Sequence, residues 1–196
     1  MNQKKKNKQE LRIWPDIDLT RCTEPVTNFG TTELNQNIVS LFQTLKEFQG
    51  LGLSACQIGD NRSYFVFKVK DREGVMINPK IIEDSGTAKH TSSEGCLSFP
   101  GVYIATERFN YVTVQFQDEE GIQHEEELIG PLGDCIQHEM DHLNGKTILE
   151  FLSRLKKDIV TRKMKKLQKR LTQTKEVNED ATRRALRGPS QPMARA

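Results

Sequence analysis

Two histidines four residues apart, with a glutamate beside the first, restrict this chain more than any other feature it carries. In His138-Glu139-Met140-Asp141-His142 the spacing predicts a helix, because residues four apart share a face and both imidazoles can then turn toward one cation. Glu139 would project beside that cation. The arrangement suits a metal that lowers the pKa of a bound water to roughly 7, with the carboxylate shuttling its proton. The plain alternative is two surface histidines on an ordinary helix. With only four His in the chain, two of them at this spacing around a Glu argue against it.

A third protein ligand has to come from elsewhere. In the extended zinc-peptidase pattern H-E-x-x-H-x-x-G-x-x-H it would be a histidine at position 148; Gly145 is in place, but position 148 is Ile148. The other peptidase solution is a Glu on a following helix, and residues 151–173 contain none; Glu150 is too close, and Glu176 and Glu179 lie in the tail. There remains the upstream run Glu94-Gly95-Cys96-Leu97-Ser98, whose thiolate would complete a Cys-His-His set with a position open to water. One thiolate and two imidazoles suit Zn2+, Fe2+, Co2+ and Ni2+ alike. A structural metal site on an RNA-binding module would close with four protein ligands, and only three convincing ones are present.

Around these residues the sequence reads as one α+β domain. Ile38, Leu41, Phe42, Leu45 and Phe48 recur at spacings of three and four, which predicts a helix over about 32–49 ended by Gly50. Residues 64–69 and 75–82 read as paired strands joined by a turn at Asp71-Arg72-Glu73-Gly74, and 102–106, 111–117 and 123–128 as further short strands. The motif helix should start near Pro131 and end at Asn144-Gly145. Over about 153–172, Leu155, Ile159, Met164, Leu167 and Leu171 predict a last amphipathic helix, with Lys and Arg around its other side. The expected fold is mixed or antiparallel sheets packed around the metal-binding helix, with this basic helix at the C-terminal end.

Charge divides along the same lines. Residues 9–150 carry 11 basic and 23 acidic side chains, whereas 151–173 carry nine basic ones against Asp158 alone, an acidic body with a basic arm. The expected organisation is a disordered basic lead over 1–10, a catalytic domain over 11–173 and a disordered tail over 174–196. No run approaches the roughly 20 apolar residues that cross a bilayer. No apolar segment follows the basic start, so no signal peptide is expected. Cys22, Cys56, Cys96 and Cys135 form no C-x-x-C, which points to a reducing, cytoplasm-like compartment; a bacterium, a virus-infected host and an organelle interior all fit.

Three segments, in this order, resemble peptide deformylase. Residues 50–57, Gly-Leu-Gly-Leu-Ser-Ala-Cys-Gln, are similar to its G-x-G-hydrophobic-A-A-x-Q motif, with Ser54 in place of the first Ala. Residues 94–98 match E-G-C-L-S and residues 137–143 match Q-H-E-x-D-H-L. Residues 11–16 are similar to the family's N-terminal strand, and the likeness extends over about 11–160. It implies removal of the N-formyl group from the initiator methionine of new chains, with release of formate. By the same likeness Cys96, His138 and His142 hold one divalent metal ion, Fe2+ by preference, for which Zn2+, Ni2+ or Co2+ may substitute. Glu139 would serve as general base and then acid, and the Gln57 amide and the Leu97 backbone N–H would stabilise the developing oxyanion. Leu51, Gly52 and Gly95 would bind the formyl-Met nascent peptide as an added strand. Glu94 would brace the site through a basic residue, with Arg108 as the partner of choice, and Asp141 would be structural. Ser54 and Asp134 depart from the family pattern, the latter placing an acid near the methionine pocket. The likeness also implies ribosome contact through the basic C-terminal helix, since rRNA rewards Lys and Arg.

Overall fold

The central strand β2 (Tyr64–Val69) is apolar at both parities, and a strand turns successive side chains to opposite faces. Such a strand has to be covered on both sides. In the computed structural model, which describes the backbone of residues 10–187 and the side chains of 10–174, it is. Tyr64 and Val66 pack with Leu34, Ile38, Leu41 and Leu45 of α1 (Thr32–Phe48). Phe65, Phe67 and Val69 pack with Cys135, Ile136, Met140 and Leu143 of α2 (Gly130–Leu143). The sheet between the two helices has five strands in the order β1-β2-β3-β6-β7, with every pairing antiparallel. Its other members are β1 (Gly52–Ser54), β3 (Arg72–Asp84), β6 (Tyr111–Gln117) and β7 (Gln123–Ile129). A second, two-stranded antiparallel sheet joins β4 (Lys89–Gly95) to β5 (Tyr103–Phe109). The α+β arrangement around the motif helix is as expected.

A third cluster lies under the C-terminal helix α3 (Arg154–Arg187), where Met164 is fully buried against a group containing Phe99, Val102, Ile148 and Leu149. Val160 and Leu167 flank it, and Lys163 Nζ donates to the Gly101 carbonyl at 2.7 Å. The docking stripe is therefore Val160, Met164 and Leu167. Leu155, Ile159 and Leu171, expected on that stripe, are 67%, 55% and 44% exposed.

Several boundaries differ from expectation, each for a local reason. Helix α1 ends on Gln49, not Gly50: Gln49 takes the left-handed conformation, and Gly50 N–H reaches back to Leu45 O at 3.0 Å. Gly50 is needed for space, since a Cβ there would lie 2.8 Å from Leu45 Cδ1. The β2–β3 connection is two residues, Lys70-Asp71, so Arg72, Glu73 and Gly74 belong to the strand. Residues 11–16 form no strand, although Arg12 N–H donates to Gln57 O and Trp14 N–H to Ser98 O. Helix α3 continues to Arg187, through part of the expected loose tail over 174–196; no Gly or Pro interrupts the chain before Gly188. The rest of that tail, and the expected lead up to residue 9, lie outside the described residues.

Candidate metal centre

Three elements deliver the site. Cys96 follows the end of β4, whose pairing with β5 sets Glu94 opposite Ile104 and Gly95 opposite Tyr103. Helix α2 presents His138, Glu139 and His142 from beneath the main sheet. The helix is seated by Gln137, whose amide accepts from Phe109 N–H at 3.0 Å and donates to Phe109 O at 3.2 Å. It is also seated by Gly133, where a Cβ would come within 2.9 Å of Leu128 O. The 3-10 turn Ala55–Ile58 carries Gln57.

Ligand atoms of Cys96, His138 and His142 lie within 4.8 Å of one another, and all three residues are buried. Cys96 Sγ is 3.1 Å from His142 Nε2. Burial opposes ionisation of this thiol, yet the positive field of His142 and hydrogen bonds from both histidines outweigh it and hold the pKa at about 5. A thiolate with two imidazoles fits a divalent ion of the zinc or iron kind. The sequence-based triad is thus brought together.

The histidines are held from behind. His138 Nδ1 lies 2.8 Å from Glu94 Oε2, an acid–imidazole contact of the sort that orients a ligating ring. Arg108 grips the same carboxylate with two hydrogen bonds, Nε to Oε1 at 2.6 Å and Nη2 to Oε2 at 2.8 Å, and its Nη1 donates to Asp141 Oδ2 at 2.6 Å. Burial would raise the Glu94 pKa, but the bonds from Arg108 and His138 dominate and pull it down to about 2. Burial pushes the proton affinity of His138 down and loses to its contacts with Cys96 and Glu94, so its pKa rises. The Arg108 and Asp141 expectations both correspond to contacts on the page.

Glu139 is 3% exposed. Burial raises its pKa, opposed by the positive field of the two histidines and by a hydrogen bond from Ser54. Ser54 Oγ sits 2.6 Å from Glu139 Oε2 and 3.1 Å from Glu139 O, so the departure at position 54 places a donor on the acid itself. Gln57 is buried, with Oε1 accepting from Ser54 N–H at 2.9 Å and Nε2 lying 3.0 Å from Ser98 Oγ and 3.6 Å from Cys96 Sγ. Its amide N–H groups therefore face the ligand sulfur.

A cavity of about 1080 Å3 opens onto these groups, lined among others by Leu51, Gly52, Gln57, Gly95, Cys96, Leu97, His138 and Glu139. Gly52 is forced by close approach: a Cβ there would lie 2.5 Å from Glu139 Oε1. Leu51 is half exposed and its carbonyl already accepts from Lys68 N–H at 2.7 Å. Asp134 lines the cavity too, and its carboxylate is 3.0 Å from His90 Nε2; that contact raises the His90 pKa. Cys56 and Cys135 are buried free thiols, and burial pushes Cys56 up to about 12. Sequence reasoning did not find the Ser54–Glu139, Gln57–Ser98 or His90–Asp134 pairs, nor the place of α3 in the cavity wall, because none leaves a local pattern.

The polypeptide deformylase family model matches residues 8–158. A peptide deformylase of Chromobacterium violaceum is 40% identical over 159 residues, covering 80% of this chain and 93% of the relative. The crystal structure of a peptide deformylase from Legionella pneumophila superposes with a TM-score of 0.77 at 35% identity, covering 84% of this chain and 96% of that one. That of the Ehrlichia chaffeensis peptide deformylase in complex with actinonin gives 0.76 at 34% identity over 80% and 95%. In family match, fold and overall identity alike, the chain belongs to the polypeptide deformylases.

Proposed function

We infer that this chain hydrolyses the formyl C–N bond of formyl-methionyl peptides at the centre formed by Cys96, His138 and His142, releasing formate. Family membership makes it a hydrolase that removes the N-formyl group from nascent peptides. The observation that supports this location is the convergence of the three ligand atoms on a cavity that also exposes Glu139 and Gln57. A divalent ion held there, Fe2+ on this reading with Zn2+, Ni2+ or Co2+ able to substitute, supplies Lewis acidity and acidifies water toward pH 7. Glu139 takes the proton from the attacking water and returns it to the leaving amine; its raised pKa suits both halves of that task. The Gln57 Nε2–H and the Leu97 backbone N–H donate to the formyl oxygen as negative charge develops on it. Glu94, tied to Arg108, keeps the His138 ring oriented. Gly52 and Gly95 leave room for a peptide backbone, with Leu51 beside them, and the chain following residue 10 closes the far side of the cavity.

Formate release and metal content measured on one anaerobic sample test this reading. Formyl-Met-Ala-Ser should be deformylated, and Glu139→Ala should keep its ion and lose turnover. Retained turnover in that variant would contradict the role of Glu139. Exposure to air should erode activity of an iron-loaded sample and spare a zinc-loaded one; equal air stability would remove the preference for iron.

The basic face of α3 supports contact with the ribosome, and the place of work is the compartment where translation runs, the cytoplasm or an organelle interior. Among the described residues no helix is long and apolar enough to cross a membrane. Because Met164 is core, charge reversal at Lys165, Lys166 and Lys169 tests the contact better than truncation. Salt-dependent ribosome affinity should fall, and unchanged affinity would refute it.

A further inference from the structure

The cavity is larger than one residue requires. Its volume of about 1080 Å3 reaches the upper end of the roughly 300–1,000 Å3 that holds a drug-sized ligand. Away from the metal ligands its wall changes character. Leu167 and Leu171 of α3 line it, one helical turn apart and therefore on one face. Phe48 from the end of α1, Leu51 and Tyr103 from β5 line it as well, and with Leu171 they are 48%, 54%, 77% and 44% exposed respectively. Four of the large apolar side chains that the fold leaves in solvent thus gather on the lip of one cavity. Scattered exposed apolar residues are ordinary; a contiguous group is the mark of a binding surface.

Two features fix this lip in place. Met164 buries α3 in the third core cluster, and Lys163 Nζ pins the helix to the Gly101 carbonyl at 2.7 Å. Tyr103 lies over Gly95, where a Cβ would approach its ring to 2.8 Å. The lip is therefore continuous with the segment that carries Cys96, and α3 is a structural wall of the cavity, not only a charged arm.

We propose that this lip, with Leu167 and Leu171 of α3 on one side and Tyr103 on the other, binds apolar side chains of the substrate beyond its first two residues, so that α3 sets sequence preference. The inference rests on the deformylase reading of the same site. The occupant is the formylated peptide itself, since whatever extends from the metal centre along the cavity must pass the lip. A half-exposed apolar contact of this kind contributes a factor of about three to ten in kcat/KM.

The test compares formyl-Met-Ala-Leu-Leu with formyl-Met-Ala-Ser-Ser on the metal-loaded full chain. The expected result is a three- to tenfold preference for the Leu peptide, carried by KM, which falls toward unity in both Leu171→Ser and Tyr103→Ser. Ile159→Ser, on the same helix but outside the cavity, should keep the preference. No preference in the parent, or the same preference in both lip variants, overturns the proposal. A dimer that Leu171→Ser dissociates while the preference stays unchanged assigns the lip to a second copy and also overturns it. If neither peptide yields formate, the underlying deformylase reading fails, a result distinct from loss of preference alone.

Discussion

Replacing Glu94 with Gln keeps the shape of the residue behind His138 and removes its charge. The Glu94 carboxyl falls from 4.5 to about 2 in the folded protein, through Arg108 and His138 and against the effect of burial. Its side chain is 9% exposed, so solvent screens little of this. A displacement of that size is worth about 3 kcal/mol at neutral pH. The sign follows from its direction. A depressed carboxyl contributes stability that is complete above its unfolded value of 4.5 and is lost as the pH falls toward about 2. Glu94→Gln has no such term at any pH. The parent should exceed the variant by about 3 kcal/mol at pH 7, or about 6–12 °C in Tm for a chain of this size, and the gap should shrink to less than about half by pH 3. Urea unfolding of both proteins at the two pH values, with chelator present so that metal binding does not enter, reads the difference directly. A gap of equal size at pH 7 and pH 3 would refute the argument, because Glu94 would then act through shape and not through charge.

Two further consequences concern the reacting groups. Ser54→Ala removes a hydrogen bond that lowers the Glu139 pKa; because the base works ionised, the acidic limb of kcat/KM should move to higher pH, and an unmoved limb would show the Ser54 contact to be irrelevant to the base. Gln57→Leu removes the side-chain donor facing Cys96 Sγ and should lower kcat by about 10²–10³ while the ion is retained, the cost of losing one oxyanion donor; a loss smaller than about tenfold would place the developing charge elsewhere.

How much of this could be read from the chain depends on whether local pattern and tertiary demand agree. The spacing of Leu34, Ile38, Leu41 and Leu45 and the strand β6 over Tyr111–Gln117 were legible, because each has the periodicity its environment selects. His138 and His142 were legible because a helix fixes their relation. Strand β4 was not. Lys89-His-Thr-Ser-Ser-Glu-Gly95 pairs only with β5 and buries Glu94 alone, so it shows no apolar alternation. The docking face of α3 was misphased since Phe99, Ile148 and Leu149, which select Val160 and Met164, leave no mark on the helix sequence itself. Glu139 and Ser54 lie 85 residues apart, and only the packing of α2 against β1 joins them. Arg108 could be named beforehand as a partner for Glu94, but not its second bond to Asp141, which ties the β5 strand to the motif helix.

X-ray absorption at the edge of the bound ion tests the central claim most directly. A zinc-loaded sample should show one sulfur at about 2.3 Å and two nitrogens at about 2.0–2.1 Å, with the remaining coordination from light, exchangeable donors. Loss of the sulfur shell in Cys96→Ala would complete that result. A spectrum without sulfur, or with two or more, would contradict a centre built from Cys96, His138 and His142.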